Sequence, residues 1–278
     1  MESGLYVVAT PIGNFGDISY RALEVLRGVD LIAAEDTRHS QRLLQHFSIS
    51  TGVVAYHDHS DGRVADRIVR VLAGGGAVAL VSDAGTPLIS DPGYRLVRAT
   101  QNSGHKVYPV PGACAAIAAL SVSGLATDRF LFEGFLPAKA GTRENRLSAL
   151  AKESATLIFY EAPHRIADCL GAMAAVFGAN REAVIAREIS KSFETIRRGP
   201  LAELLVFVTD DPNQQRGEIV ILVEGNKEVK SQLDEATAAL LLRLSQELPA
   251  KRAAAVVADL TGIRKKQLYQ YLLDIKKV

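Results

Sequence analysis

Tryptophan is absent from this chain, cysteine occurs only twice, and aromatic residues make up just 6% of it. Its core must therefore be built mainly from Ala, Val, Leu and Ile. Cys114 and Cys169 stand far apart in apolar helical contexts, which argues against a disulfide framework and suits a reducing cytoplasm. No apolar run reaches the ~18–20 residues that span a bilayer. Met1-Glu2-Ser3-Gly4 carries no basic region followed by an apolar stretch, so no secretory signal is expected. Two nucleotide-binding signatures are also missing: there is no G-x-G-x-x-G after the first strand and no G-x-x-x-x-G-K-[ST] anywhere. The net charge of +1 decides nothing about nucleic acid, because local patches matter more than totals.

What is present is an alternation of short apolar runs and helical stretches over a chain of 278 residues, enough for two domains and a small third unit. Runs at Leu5–Ala9, Leu31–Ala34, Val53–Ala55, Ala77–Val81 and Val107–Val110 alternate with helical stretches at Tyr20–Leu26, Gln41–Phe47, Val64–Leu72 and Tyr94–Gln101. A repeated βα pattern predicts a parallel sheet covered by helices. After a hinge around Ser121–Asp128, apolar runs resume at Phe130–Phe132, Thr156–Tyr160, Val184–Ile189 and Ile219–Val223, with helical stretches between them. They predict a second α/β domain. Beyond a polar linker at Asn226–Gln232, Leu233, Leu240, Leu241, Leu244 and Leu248 recur at helical spacing; Ala253, Val256, Val257 and Leu260 follow, then Leu268, Leu272 and Ile275. Ala258, Gly262 and Leu268 fit a helix-turn-helix, and this tail is basic. The expected division is 1–124, 125–226 and a helical 227–278.

Ligands of open parallel sheets bind outside the carboxyl ends of the strands, and the unusual sequences sit there. The first strand leads into Thr10-Pro11-Ile12-Gly13-Asn14, which could also be a structural turn. Glu35-Asp36-Thr37-Arg38 follows the second strand; an acidic residue here invites a dehydrogenase reading, which fails without the glycine fingerprint, and a helix cap is the plainer alternative. The fourth strand ends in Ser82-Asp83-Ala84-Gly85-Thr86-Pro87-Leu88-Ile89-Ser90-Asp91-Pro92-Gly93, far more elaborate than a βα connection requires. It contains no Lys or Arg, so a triphosphate is not its obvious guest. His57-Asp58-His59 lacks a completed ligand set, and no metal is expected.

A-T-P-I-G-N at 9–14, A-A-E-D-T-R at 33–38, S-D-A-G-T-P-L-I-S-D-P-G at 82–93 and P-G-A-C-A-A at 111–116 together resemble the tetrapyrrole methylase superfamily. More narrowly they resemble its ribosomal branch, ribosomal RNA small subunit methyltransferase I. F-E-G-F-L-P at 132–137, F-Y-E-A-P-H-R at 159–165 and G-E-I-V-I-L-V-E-G at 217–225 extend the likeness over essentially the whole chain. Phe15 stands where leucine is commoner.

The resemblance implies two α/β domains with S-adenosylmethionine folded into the cleft between them. It implies 2′-O-methylation of a cytidine in the 16S rRNA decoding region, and a homodimer. By resemblance, Pro11 and Gly13 lie against the cofactor, Asp83, Ala84 and Gly85 grip it, and Ala113 and Ala115 line its adenosine. Tyr160, Ala186 and Glu218 close over it. Asp36, Glu161 and Glu188, at or near strand ends, are the candidate bases or hydroxyl orienters, with salt bridging as the plainer role. Arg38, His164, Arg165, Lys191, Arg197 and Arg198 are the cleft candidates for RNA, and Arg264, Lys265 and Lys266 the tail candidates. A methyltransferase acting on a tetrapyrrole and a non-catalytic RNA-binding protein are the rivals.

Overall fold

A computed structural model describes residues 1–57, 62–227, 233 and 235–275. The first compact unit comprises Met1–Ala149 and Thr156–Glu224 and holds both sheets. In its first half the chain runs β1 (Gly4–Val8), α1 (Tyr20–Gly28), β2 (Leu31–Ala34), α2 (Thr37–His46), β3 (Val53–Ala55), α3 (Gly62–Ala73), β4 (Ala77–Val81), α4 (Tyr94–Asn102) and β5 (Val107–Val110). The strands pair in the order β3-β2-β4-β1-β5, all parallel. Strands covered on both faces need unbroken apolar sequence rather than alternation, and Ala77–Val81 in the sheet interior is buried at every position. On one face Ala22, Val25 and Leu26 of α1 and Leu44 of α2 pack against the sheet. On the other Ile68 and Leu72 of α3 and Leu96 of α4 do so. Two of these helices start on side-chain caps: Ser19 accepts from the Ala22 N–H, and Asp36 from the Arg38 N–H.

The second half contains α5 (Ala115–Val122), β6 (Phe130–Phe135), α6 (Ala140–Leu150), β7 (Thr156–Glu161), α7 (Ile166–Phe177), β8 (Glu182–Arg187), β9 (Thr195–Pro200), α8 (Leu201–Asp210) and β10 (Ile219–Val223). Its sheet has the order β6-β7-β10-β8-β9; β6 and β7 are parallel and the remaining pairs antiparallel. The α/β class expected from sequence is the one observed, with one strand added. β9, Thr-Ile-Arg-Arg-Gly-Pro, has no apolar run because it is an edge strand facing solvent, where charge and proline deter further pairing.

Although α5 follows the last strand of the first sheet, it packs on the second. Ala116, Ala119 and Leu120 pack in one cluster with Ile158, Val184, Ala186, Val220 and Leu222. Helix α5 therefore ties the two sheets of this unit together, and its short apolar sequence is the consequence of lying against β-strands. The turn entering it is tight for the same reason: a Cβ on Gly112 would stand 2.9 Å from that of Ala9.

The second compact unit comprises Leu150–Ala155 and Gly225–Val278. Within it α9 (Glu235–Glu247), α10 (Ala250–Thr261) and α11 (Lys265–Ile275) enclose Leu241, Ala253, Val257, Leu268 and Leu272. Gly262 ends α10 with a left-handed φ of +72°, the conformation the turn between the last two helices needs. Leu240, Val256, Leu260 and Ile275 share the apolar stripes yet remain exposed; three short helices have too little interior to cover whole stripes. Asn226 donates from its backbone N–H to the Glu153 carbonyl at 2.6 Å and from its side chain to Ala151 at 3.0 Å. A Cβ on Gly225 would stand 2.0 Å from the Ser154 carbonyl oxygen. Because that neighbour is backbone and cannot swing away, Gly225→Ala should destabilise this unit by about 1–3 kcal/mol or more, measured as a lowered midpoint of its denaturant unfolding.

Candidate active site

The loops after β1, β4 and β5 are bound to one another by hydrogen bonds. Thr10 and Gly85 exchange backbone hydrogen bonds of 2.9 and 3.0 Å, and the Thr86 hydroxyl donates to the Ala113 carbonyl at 2.9 Å. Gly85 adopts φ +81°, where a side chain would be strained, and Ile12 lies 3.3 Å from the position its Cβ would take. Leu88 and Ser90 also adopt positive φ. Two more such residues, Glu188 and Ser190, stand in the loop after β8, so four of the five non-glycine residues found there among the described residues flank one cleft. Left-handed backbone at such residues costs on the order of 1 kcal/mol or more each and persists where surrounding structure enforces it.

Two adjoining cavities open in this cleft. The first, of about 380 Å³, is walled by Asp83, Ala84, Gly85 and Asp91 of the β4 loop, Cys114 and Ala115 at the start of α5, and Phe135, Tyr160, Glu161 and Glu218 from the second sheet. Of the expected cofactor residues it gathers Asp83, Ala84, Gly85, Ala115, Tyr160 and Glu218. The second, of about 400 Å³, shares Ile12, Asp83, Ala84 and Glu218 with the first and adds Pro11, Gly13, Phe15, His39, Ser40, Arg42 and Lys191. Pro11 and Gly13 thus border the second cavity rather than the first. Ala113 lines neither; its carbonyl holds Thr86. Ala186, expected to close over the cofactor, lines neither cavity and is fully buried beneath α5. An alanine mid-strand faces whichever layer the pleat dictates, and spacing from the motif does not reveal it.

The carboxylates divide into two kinds. Asp83 accepts the Asp36 backbone N–H at 3.0 Å and so ties the end of β2 to the β4 loop. Burial pushes the Asp91 carboxyl up, reinforced by the charge of Asp83, although a hydrogen bond from Ser82 opposes it. Glu35 is raised in the same way, by burial first and then by Asp91 and Asp83. Motif reading missed Asp91 and Glu35, although both lie inside the motifs it used.

The three candidate bases are of the other kind. Asp36 is an N-cap that also takes two hydrogen bonds from the Arg38 guanidinium, and these hold its carboxyl at about 2. Glu161 is buried, accepts the Ala162 N–H at 2.8 Å and pairs with Arg165 at 3.3 Å. Glu188 accepts from the Lys191 ammonium at 2.7 Å and from the Glu218 N–H at 2.9 Å. Burial works to raise the Glu188 carboxyl, but these hydrogen bonds outweigh it and hold it below its usual range. Asp36 and Glu188 are thus held by partners that stabilise the charged form, whereas Glu161 engages Ala162 and Arg165 through one oxygen and leaves its buried Oε2 without a hydrogen-bond partner.

Cations expected to meet RNA are likewise engaged in part. The Arg165 guanidinium donates to the Leu136 and Pro137 carbonyls at 2.7 and 3.1 Å, so it shapes the β6 exit; His164 beside it is exposed. Arg197 lies over the Phe207 ring, and Arg198 binds Glu182 and the Gly124 carbonyl, both on edge strand β9 and away from the cavity walls. Arg264, Lys265 and Lys266 are exposed where α11 begins, in the second unit. Lys191 bridges the cleft: its ammonium meets Glu188 and Glu218, while its stem lies so close to Gly13 that a Cβ there would stand 2.4 Å from it. Ser190 hydrogen-bonds Asp17 alongside. Tyr160 accepts the Ala116 N–H at 3.1 Å, serving the otherwise uncapped start of α5 from the second sheet.

The Tetrapyrrole (Corrin/Porphyrin) Methylases model matches residues 4–205, and the RsmI C-terminal HTH domain model matches residues 231–276. The chain belongs to the tetrapyrrole methylase family. It is 58% identical to ribosomal RNA small subunit methyltransferase I of Pseudomonas aeruginosa, over 99% of this chain and 98% of that one. It is 52% identical to the Escherichia coli O157:H7 protein of that name, over 98% and 96%. Within the family it is therefore a methyltransferase of the ribosomal branch. Among solved structures, uroporphyrin-III-C-methyltransferase from Thermus thermophilus superposes with a TM-score of 0.58 at 18% identity, covering 80% of this chain and 94% of that one. Cobalt precorrin-4 methyltransferase gives 0.61 at 17%, covering 79% and 94%. Both confirm the family fold for the two sheets. Among the described residues no group of His, Cys, Asp and Glu could hold a metal ion, and no helix is long and apolar enough to cross a membrane.

A depressed carboxylate stabilises the fold above its unfolded pKa and loses that contribution as pH falls through the folded value. For Glu188 that window starts near its ordinary 4.5 and runs downward. Glu188→Gln should therefore flatten the acid limb of stability below pH 4.5, with less change near neutrality than an alanine substitution, as read from denaturant midpoints across pH.

Proposed function

We propose that this chain transfers a methyl group from S-adenosylmethionine to the ribose 2′-hydroxyl of a cytidine in the decoding region of 16S rRNA. The observation that carries the reading is the first cavity, joined to full-length likeness to the ribosomal branch. Its loop presents Asp83 and Asp91, with Glu35 close behind, and no basic residue. Such a wall suits a donor that is cationic at sulfur and at its amino group and carries a hydroxylated ribose. Ala84, Gly85 and Ala115 leave room for a flat adenine.

Asp83, Asp91 and the backbone around Gly85 would hold the donor, with Tyr160 and Phe135 across the cavity. When bound, the donor supplies an activated methyl group, and the protein contributes approach geometry and exclusion of water. Asp36 fixes one wall by donating its N–H to Asp83, and Glu161 and Glu188 act through Arg165 and Lys191. The exposed cations at the start of α11 suit RNA phosphates. The acceptor is read as 16S rRNA within the small ribosomal subunit, and the active form as a cytoplasmic homodimer. Half-exposed Ile117 and Val122 on α5 favour such an assembly.

The test supplies labelled S-adenosylmethionine with undermethylated small subunits, free 16S RNA or a uroporphyrinogen-type tetrapyrrole. Label on a ribose 2′-oxygen of the RNA is expected; label on the tetrapyrrole alone overturns the reading. A hydrogen bond to a charged group contributes about 1.5–3 kcal/mol, so Asp91→Ala should weaken donor binding roughly ten-fold or more by calorimetry. Asp83→Ala should do so too, with an added loss of stability because Asp83 also holds the Asp36 N–H.

A further inference from the structure

The second cavity is not explained by the donor. It lies across the Asp83–Ala84 wall from the donor cavity, joined to it along Ile12 and Glu218. At about 400 Å³ it has the size of a small-molecule site. Its lining is of another character. Arg42 and His39 are exposed on the flank of α2, and Phe15 is 39% exposed, its ring set against His46 at 4.7 Å. Lys191 stands opposite, its charge met by Glu188 and Glu218.

Ser40 is the decisive residue. It lines this cavity, is 6% exposed, and its hydroxyl is buried without a hydrogen-bond partner. A buried hydroxyl left unpaired is costly, and a helical serine commonly relieves this by bonding the carbonyl one turn back. Here it does not. A cavity with an exposed aromatic ring and an exposed guanidinium in its lining, and an unanswered hydroxyl buried within its wall, matches the parts of one nucleotide: a base face, a phosphate and a polar base edge.

We propose that this cavity seats the acceptor nucleotide of the RNA, an inference that rests on the function proposed above. The ribose faces the Asp83–Ala84 wall, where its hydroxyl opens toward the donor. The base lies against Phe15 with its polar edge toward Ser40, and Arg42 takes the adjoining phosphate. Unstacked bases are commonly held on aromatic side chains, while phosphate contacts set register. Enzymes acting on a single nucleotide in structured nucleic acid gain access by drawing it out of the stack. Arg38, the neighbouring cation, pairs with Asp36 and does not line this cavity, whereas Arg42 does.

The experiment measures methyl transfer from labelled S-adenosylmethionine to undermethylated small subunits by the full-length protein and by Arg42→Glu, Phe15→Ala and Ser40→Ala. Donor affinity and unfolding midpoint are measured alongside. The expected result is a roughly ten-fold or greater fall in kcat/KM, carried mostly by KM for Arg42→Glu, with donor affinity within about two-fold of wild type. Ser40→Ala should lose transfer while its unfolding midpoint holds or rises, since it removes an unpaired polar group; a structural role would lower the midpoint instead. Transfer by all three variants at the wild-type rate overturns the proposal, as does a parallel loss of donor affinity, which would assign the cavity to the donor. A wild-type protein that labels no RNA overturns the underlying function, and this site with it.

Discussion

The reciprocal backbone hydrogen bonds between Thr10 and Gly85 hold together the wall of the cleft that the first sheet supplies. They join the exits of two neighbouring parallel strands, β1 and β4, beyond the end of their ladder. With those exits fixed, Asp83 stands where its carboxylate reaches the Asp36 N–H, and Thr86 where its hydroxyl reaches the Ala113 carbonyl. Three loops that could otherwise move separately become one wall. Gly85 is required because its φ of +81° would strain any side chain, and because Ile12 leaves no slack beside it.

The opposite wall is built by a different device. Helix α5 grows from the first sheet but buries Ala116, Ala119 and Leu120 against the second. Tyr160, from the second sheet, returns the connection by accepting the Ala116 N–H. Its ring rests among Phe132 and Phe135, and burial, with Cys114 nearby, pushes its phenol well up, so it remains neutral at physiological pH. The distance between the walls is therefore set by packing along a helix. In the stretch Ser121–Asp128, where Ser, Gly and Thr suggest a hinge, Ser123 closes a turn: its hydroxyl donates to the Leu120 carbonyl and accepts from the Leu125 N–H.

The interior strands of both sheets could be read from sequence because full burial leaves an unmistakable apolar run, as in Ala77–Val81 and Ile219–Val223. Strand β9 could not, since an edge strand carries no such run. The donor loop stood out through its density of Asp, Gly and Pro. The state of each carboxylate did not, because engagement depends on partners far away in sequence: Glu188 meets the N–H of Glu218, and Asp83 that of Asp36. Spacing identified Asp36, Glu161 and Glu188 as acids near strand ends, and only geometry showed each committed to a cation. Ser40, inside a helix with ordinary polar neighbours, carried no signal at all.

Strain and charge at the β8 loop then follow from one requirement, that the second sheet reach the first across open space. Glu188 and Ser190 both take left-handed backbone to turn Lys191 over Gly13. A bulkier residue at 13 would collide with the lysine stem, and one at 217 would collide with the Glu188 carboxyl, 2.3 Å from the position of its Cβ. Glycine at both positions therefore serves close approach as much as turning. Burial works to depress the Lys191 ammonium, yet Glu188 and Glu218 outweigh it and keep the group charged. A neutral side chain of equal length could cover Gly13, but it could not offset the unfavourable backbone of the loop that carries it. The strained turn and the ion pairs therefore form one structure, in which the pairs stabilise the backbone geometry and that geometry brings the pairs together.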